Sequence, residues 1–247
     1  MCYDMSYFST IRLISDFLQI NNTPELDFTP TYHQVAQSFC KWPVAINDNG
    51  IQIKLFEWGL IADYMNSNEK VKQYRTSMVN ARSEKLLDDK QSVWHKLRQQ
   101  RCLIFTTGFF EHQATRQKKK QPYFITVKNE PIFCMAGIYN YSPIPDKVTG
   151  ETAGTFSIIT RPANNLLKTI HNSGEHSERM PLILTQKQGI EWISENLSDK
   201  EIREICEYCF PDTGMEAWPV DTIRKQKEDD NKVIKAIHTH TIPEFPF

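Results

Sequence analysis

The sequence is notable first for what it lacks. No uninterrupted run reaches about 18 apolar residues, so no membrane-spanning helix and no membrane partner are expected. The opening MCYDMSYFST has neither a basic n-region nor an apolar h-region, so no signal peptide is expected. Six cysteines scattered over 247 residues do not make a disulfide framework. They fit a reducing, cytoplasmic setting, nucleoid-associated if the source is bacterial. The net charge of −1 excludes a generally basic nucleic-acid binder but leaves room for a local basic groove. There is no glycine-rich phosphate loop, and no metal, nucleotide or other cofactor is expected. Repeats and low-complexity linkers are absent too, so residues 1–247 read as one domain.

What is there alternates between strand and helix signals without a regular βαβ order. Ile11, Ile14, Phe17 and Leu18 have helical spacing, and Ile51, Ile53 and Leu55 alternate with Gln52 and Lys54 as in a half-buried strand. The stretch Asp27 to Pro43 reads as irregular, and the polar Asn66 to Gln73 as a surface loop. Ser83 to Arg101 reads as one helix and Cys102 to Phe110 as one strand. Further strands are expected over Tyr123 to Val127, Ile132 to Tyr139, Thr155 to Thr160 and Met180 to Leu184. Thr185 with Gln188, and Ser198 with Glu201, form capping boxes for two helices. This is an α+β pattern: a single domain with a mostly antiparallel, barrel-like β core and flanking helices.

Chemistry concentrates at Cys2. Cysteine is small enough for an initiator methionine before it to be trimmed, and removal of Met1 would leave a thiol and a primary amine on adjacent carbons. Such a 1,2-aminothiol captures aldehydes: the amine forms an imine, and the thiol closes on it to give a five-membered thiazolidine. An α-amine with a pKa of about 7.7 to 8.0 is roughly a quarter to two fifths neutral at pH 7.5 and needs no special tuning. A thiol of ordinary pKa near 8.5 would be roughly a tenth thiolate.

Glu111 ends a nearly wholly apolar run, where partial burial would raise its pKa, although a surface glutamate at a strand end has the same sequence signature. His171 precedes a glycine-containing loop and reads equally as a surface, core or catalytic histidine, and Asn80 as a turn residue or a functional one. Cys206 and Cys209 make a C-x-x-C whose thiols fall on the buried face of a capped helix, which favours packing over zinc. His238-Thr-His240 is a weak metal signal, and Lys118-Lys119-Lys120 reads first as a solvated loop and second as a phosphate contact.

Five fragments in order resemble the SOS response-associated peptidase (SRAP) family of abasic-site processing proteins. They are Cys2, Trp58-Gly59-Leu60, Asn80-Ala81-Arg82-Ser83-Glu84, Gly108-Phe109-Phe110-Glu111-His112, and Ile170-His171 with Arg179-Met180-Pro181-Leu182-Ile183-Leu184. The resemblance implies a protein that recognises abasic sites in single-stranded DNA and joins Cys2 to the ring-opened sugar as a thiazolidine; a monomer is expected. In that family reading Asn80 would orient the reacting groups, Glu111 would act as general acid/base, and His171 would assist Schiff-base chemistry or reversal. Arg82 and Arg179 would contact phosphates, with Arg75 and Arg161 as further DNA-binding arginines. An N-terminal-nucleophile cysteine peptidase that removes Met1, and a non-catalytic single-strand DNA-binding module, are the rival readings.

The chain departs from the family in four places. Tyr3-Asp4 stands where Gly-Arg is usual, and Ile61 to Met65 lacks the usual tryptophan, leaving Tyr64 as the candidate base-stacking residue. His112 replaces a tryptophan, and a longer loop before Arg179 makes His176 a rival to His171.

Overall fold

The computed structural model describes residues 2–117, 119–224 and 230–237. The readings made above for Met1, Lys118, His238 and His240 fall outside those residues.

Thirteen strands are present among the described residues: β1 Asp4–Tyr7, β2 Thr31–Val35, β3 Lys41–Asn47, β4 Ile51–Trp58, β5 Asn80–Arg82, β6 Arg101–Thr106, β7 Gly108–Ala114, β8 Lys120–Val127, β9 Phe133–Tyr141, β10 Gly154–Pro162, β11 Arg179–Pro181, β12 Ile183–Leu184 and β13 Met215–Pro219. Seven α-helices accompany them: α1 Ile11–Leu18, α2 Asn68–Tyr74, α3 Glu84–Leu87, α4 Val93–Lys96, α5 Asn165–Ile170, α6 Gln186–Trp192 and α7 Asp199–Glu207. The architecture is the expected α+β one with mostly antiparallel strands.

The barrel is literal. Strands β10, β4, β3, β6 and β9 pair in that order, and β9 pairs again with β10, so five strands close into a ring with β10–β4 as its one parallel seam. Closure removes unpaired edges from this part of the sheet. The far end of β10 leaves the ring to pair with β5 and β11. A second sheet runs β13-β8-β7-β1-β2. Trp42, Trp58 and Trp192 fill the interior, and each indole N–H donates to a backbone carbonyl, of Phe105, Val79 and Cys102 respectively.

Several sequence expectations need correction. Cys102 to Phe110 is two strands, β6 in the barrel and β7 in the second sheet, broken at Thr107. Hydrogen bonds from the Thr107 N–H and the Thr106 and Thr107 hydroxyls to the Ser6 carbonyl hold the crossing point. A side chain at Gly108 would collide with the Phe124 ring, so the backbone passes there only as glycine. Ser83 to Arg101 is not one helix but the short α3 and α4, because Ser92 caps a new helix through the Trp94 N–H. The stretch Asp27 to Pro43 contains β2 and the start of β3, and the polar segment 66–73 holds most of α2, capped by Ser67. Met180 to Leu184 divides into β11 and β12 around Leu182. The two predicted capping boxes form as expected, at Thr185/Gln188 and Ser198/Glu201.

Candidate functional site

The switch of strands at Thr107 places β1 against β7, with Asp4 opposite Phe110 and Met5 opposite Phe109. Cys2 lies just before β1 and is fully buried. From the other side, the Asn80 side-chain amide on β5 donates to the Cys2 carbonyl at 2.8 Å. The Asn80 Oδ1 atom is buried and has no hydrogen-bond partner among the described residues, so an acceptor is held ready beside Cys2. The two sheets thus meet at Cys2.

Glu111 follows on β7, 5% exposed. Burial, with the negative charge of Asp4 adding to it, pushes its pKa to about 7. His171 caps the end of α5, and its Nε2 faces Glu111 Oε2 at 3.9 Å. Its Nδ1 lies 3.0 Å from the Arg179 carbonyl, which can only accept, so Nδ1 carries the proton and Nε2 presents a lone pair. Burial lowers the His171 pKa to about 4, so the ring is neutral near pH 7. The pair is therefore a carboxyl poised to hold a proton opposite a neutral imidazole, not an ion pair. Burial, and after it the charge of Glu111, also raises the Cys2 thiol well above its ordinary pKa. The tenth-thiolate expected for an ordinary thiol does not apply here: Sγ is a protonated thiol in this environment.

Glu111 and His171 line a cavity of about 310 Å³ together with Tyr3, Asp4, His112, His176, Lys120 and Arg224, among others. His176 sits on the loop between α5 and β11, half-buried, and its Nδ1 accepts from Arg82 Nη2 at 3.1 Å. Both histidines weighed from the sequence border the same cavity, but it is His171 that faces Glu111.

The four candidate arginines separate. Arg82 is exposed and donates to His176 on that loop. Arg179 grips Glu84 through two bonds of 2.9 Å and also donates to the Thr160 carbonyl, so its guanidinium is occupied inside the protein. Arg75 is buried, with Nη2 on Glu57 at 2.6 Å, Nε on the Gly59 carbonyl and its guanidinium over the Phe39 ring. Arg161 donates to the Glu207 carbonyl at the end of α7. Tyr64 is 46% exposed and stands edge-on to Tyr74. Of the C-x-x-C pair, Cys206 is buried in α7, whereas Cys209 lies beyond the helix end and is half-buried, so the two do not share a helical face. No cluster of three or more potential metal ligands exists among the described residues.

Sequence reasoning missed Asp4 as a site residue, and with it His33 and Arg224. Asp4 is almost fully buried and accepts from His33 Nε2 at 2.8 Å and from Arg224 Nε and Nη2 at 3.2 and 2.7 Å. Burial opposes ionisation there, but these hydrogen bonds hold the carboxyl below its usual range. Asp4 itself gave a signal, an acid where the family resemblance leads one to expect an arginine. Arg224, 220 residues away, gave none.

The SOS response associated peptidase (SRAP) family matches residues 1–225, and the chain belongs to that family. It is 28% identical over 239 residues to the abasic site processing protein YoqW of Bacillus subtilis, covering 96% of this chain and 100% of YoqW. It is 31% identical over 194 residues to the abasic site processing protein YMR114C of Saccharomyces cerevisiae, covering 75% of this chain and 48% of that protein. A solved protein from Bacteroides thetaiotaomicron superposes with a TM-score of 0.81 at 31% identity, over 96% of this chain and 100% of that one. A Bordetella bronchiseptica structure shares the fold, with a TM-score of 0.73 at 16% identity over 90% of this chain and 100% of that one.

Proposed function

We propose that this protein binds abasic sites in single-stranded DNA and, once Met1 has been removed, joins Cys2 to the ring-opened sugar as a thiazolidine. The observation that carries this reading is a buried cysteine, placed by Asn80, beside a carboxyl that titrates near neutrality. The names of the relatives, abasic site processing proteins, point the same way.

The chemistry closes with these groups alone. The neutral α-amine attacks the C1 aldehyde, and a proton moves from nitrogen to oxygen to give the carbinolamine. Protonated Glu111 then protonates the departing hydroxyl, which leaves as water, and Glu111 becomes a carboxylate facing the iminium. The Cys2 thiol gives its proton to that carboxylate as sulfur bonds to the iminium carbon. The product is the thiazolidine, one water is released, and Glu111 is again an acid. A pKa of about 7 suits a group that must act first as acid and then as base. Neutral His171, its Nε2 lone pair directed at Glu111, orients the carboxyl and can relay its proton.

The same electrostatics weigh against a peptidase of the cysteine–histidine kind. Such a nucleophile needs a thiolate stabilised by an imidazolium, whereas here burial keeps the thiol protonated and the imidazole neutral. Exposed Arg82 serves as a phosphate contact and Tyr64 as a base-stacking surface in this proposal. Arg179, Arg75 and Arg161 act indirectly, by holding the framework.

Intact mass after incubation with a single-stranded oligonucleotide bearing one abasic site tests the reading. The expected result is an adduct that survives heating, is lost in Cys2→Ala and does not form with an intact strand. A heat-stable adduct at undiminished yield in Cys2→Ala would remove the mechanism.

A further inference from the structure

Arg224 is fixed from both ends yet open at its tip. Behind it, Ile223 is buried in a small apolar core with Phe110, Phe124, Val220 and Val233, so the backbone carrying the arginine is seated on the second sheet. In front, Asp4 accepts from Nε and Nη2, which occupies one edge of the planar guanidinium. Asp4 is itself held by His33 Nε2 at 2.8 Å, so the carboxylate that aims the arginine is immobilised in turn. A guanidinium carries five N–H donors, and this clamp uses two of them. The donors on Nη1 and the second donor on Nη2 form the free edge, and the side chain remains 54% exposed where it lines the Glu111–His171 cavity.

A carboxylate buried to this degree beside a reactive site imposes a negative charge there unless it is compensated. Arg224 provides the compensating charge, His33 adds a hydrogen bond, and Lys120 is a second cation in the cavity lining. Glu175 is the acid on the loop side of the cavity. The wall next to β1 therefore presents a preorganised fork and an ammonium to whatever occupies the cavity, a combination suited to a phosphate.

We propose that Arg224 is a phosphate-binding residue of the Glu111–His171 cavity: buried Asp4 holds one edge of its guanidinium so that the other receives the backbone phosphodiester adjoining the lesion sugar. The inference rests on the abasic-site reading and deepens it by naming a group outside the sugar that the site grips. The phosphate and the aldehyde then enter together, and Arg224 sets which way the strand lies across Cys2.

The test compares two aldehydes. One is free 2-deoxyribose, which has no phosphate, and the other is a single-stranded oligonucleotide with one abasic site. Adduct formation by wild type, Arg224→Gln and Arg224→Lys is followed by intact mass over time, at several salt concentrations. Arg224→Gln is expected to slow the oligonucleotide reaction about tenfold or more at subsaturating strand and to flatten its salt dependence. Its rate with 2-deoxyribose should fall much less than its rate with the oligonucleotide, and a retained reaction there also reports that the site is folded. Arg224→Lys keeps the charge but loses the fork and should fall between the two; if Arg224→Gln does not fold, the lysine variant decides alone. Equal slowing on both aldehydes would make Arg224 a support for the Cys2 pocket, and no slowing on either would make it a surface residue; each result overturns the inference. A wild-type protein that forms no adduct with either aldehyde would instead overturn the abasic-site reading, and the inference with it.

Discussion

The most incisive perturbation is Glu111→Gln, which keeps the side chain's shape and removes its titration. At pH 7.5 a carboxyl with a pKa of about 7 is protonated about a quarter of the time, against about one time in a thousand at the ordinary 4.5. Burial therefore increases the supply of acid at that pH on the order of 200-fold. The second requirement is a neutral amine, whose pKa is about 7.7 to 8.0. The product of the two fractions gives a bell-shaped rate profile centred at about pH 7.5, with its alkaline limb set by Glu111 and its acid limb by the amine. His171, near 4, titrates below this range and contributes to neither limb. Glu111→Gln should reduce adduct formation at pH 7.5 by about 10² to 10⁴, the usual worth of general acid–base assistance. Its profile should lose the alkaline limb and rise to a plateau above the amine pKa. The assay is single-turnover adduct formation on an abasic oligonucleotide, quenched and resolved by mass, from pH 5.5 to 9.5. A Gln variant that retains the alkaline limb, or loses less than tenfold, would refute the assignment of Glu111 as the acid.

The same substitution should stabilise the fold at alkaline pH. The folded-state pKa of Glu111 lies above its ordinary value, so its contribution is fully present below about pH 4.5 and is lost as pH rises through about 7. The difference corresponds to about 3 kcal/mol, so Glu111→Gln should melt several degrees above wild type at pH 8 and close to it at pH 4.5. An equal Tm at pH 8 would show that Glu111 is not desolvated. Asn80→Ala removes the bond to the Cys2 carbonyl and should slow adduct formation about five- to tenfold, the worth of about 1 kcal/mol, with strand affinity unchanged. Loss of affinity with an intact rate constant would instead make Asn80 a DNA contact. Arg75→Ala and Arg82→Ala should part company. Arg75→Ala should cost stability on the order of 2 kcal/mol because Glu57, the Gly59 carbonyl and Phe39 lose their partner. Arg82→Ala should leave Tm alone and weaken strand binding with a shallower salt dependence, read by fluorescence anisotropy.

Much of the fold could be read locally because its signals are local. The capping boxes at Thr185 and Ser198 need only residues three apart, and the alternation from Ile51 to Leu55 needs only a strand. Where reading failed, distant residues or featureless surfaces decided the outcome. Nothing within Cys102 to Phe110 announces a break, since the crossing at Thr107 depends on Ser6 and on the Phe124 ring beside Gly108. Helix α2 buries no residue, so it offers no apolar stripe to find, and only Ser67 as its cap marks it. The overlooked break between α3 and α4 did have a local mark, the serine cap at Ser92. The site divides in the same way. Cys2, Asn80, Glu111 and His171 were visible as residue types, but the sequence cannot tell an arginine occupied by Glu84 or Glu57 from one open to a ligand. That distinction belongs to the assembled structure, which also brings Arg224 to Asp4.

The energetics of the cluster argue for function more strongly than its residue types do. A fold under no other demand would not bury Glu111 where its carboxyl must climb to about 7, beside a histidine forced neutral down to about 4. The two costs have opposite pH signs. Ionising Glu111 weakens the folded state as pH rises toward 7. Charging His171 weakens it as pH falls from its ordinary range toward 4, because a depressed pKa contributes stability only above that range. Neither group relieves the other as an ion pair would, since 3.9 Å and the Arg179 carbonyl on Nδ1 leave a neutral acceptor facing an acid. Packing could have met the same spatial demand with apolar residues, as it does at Phe110 and Ile170 next to them in the chain. What apolar residues could not supply is a proton delivered and taken back beside Cys2 at the pH where its amine becomes nucleophilic. The instability of the pair and the reactivity of the cysteine are therefore two consequences of one arrangement, and relieving the first by Glu111→Gln should abolish most of the second.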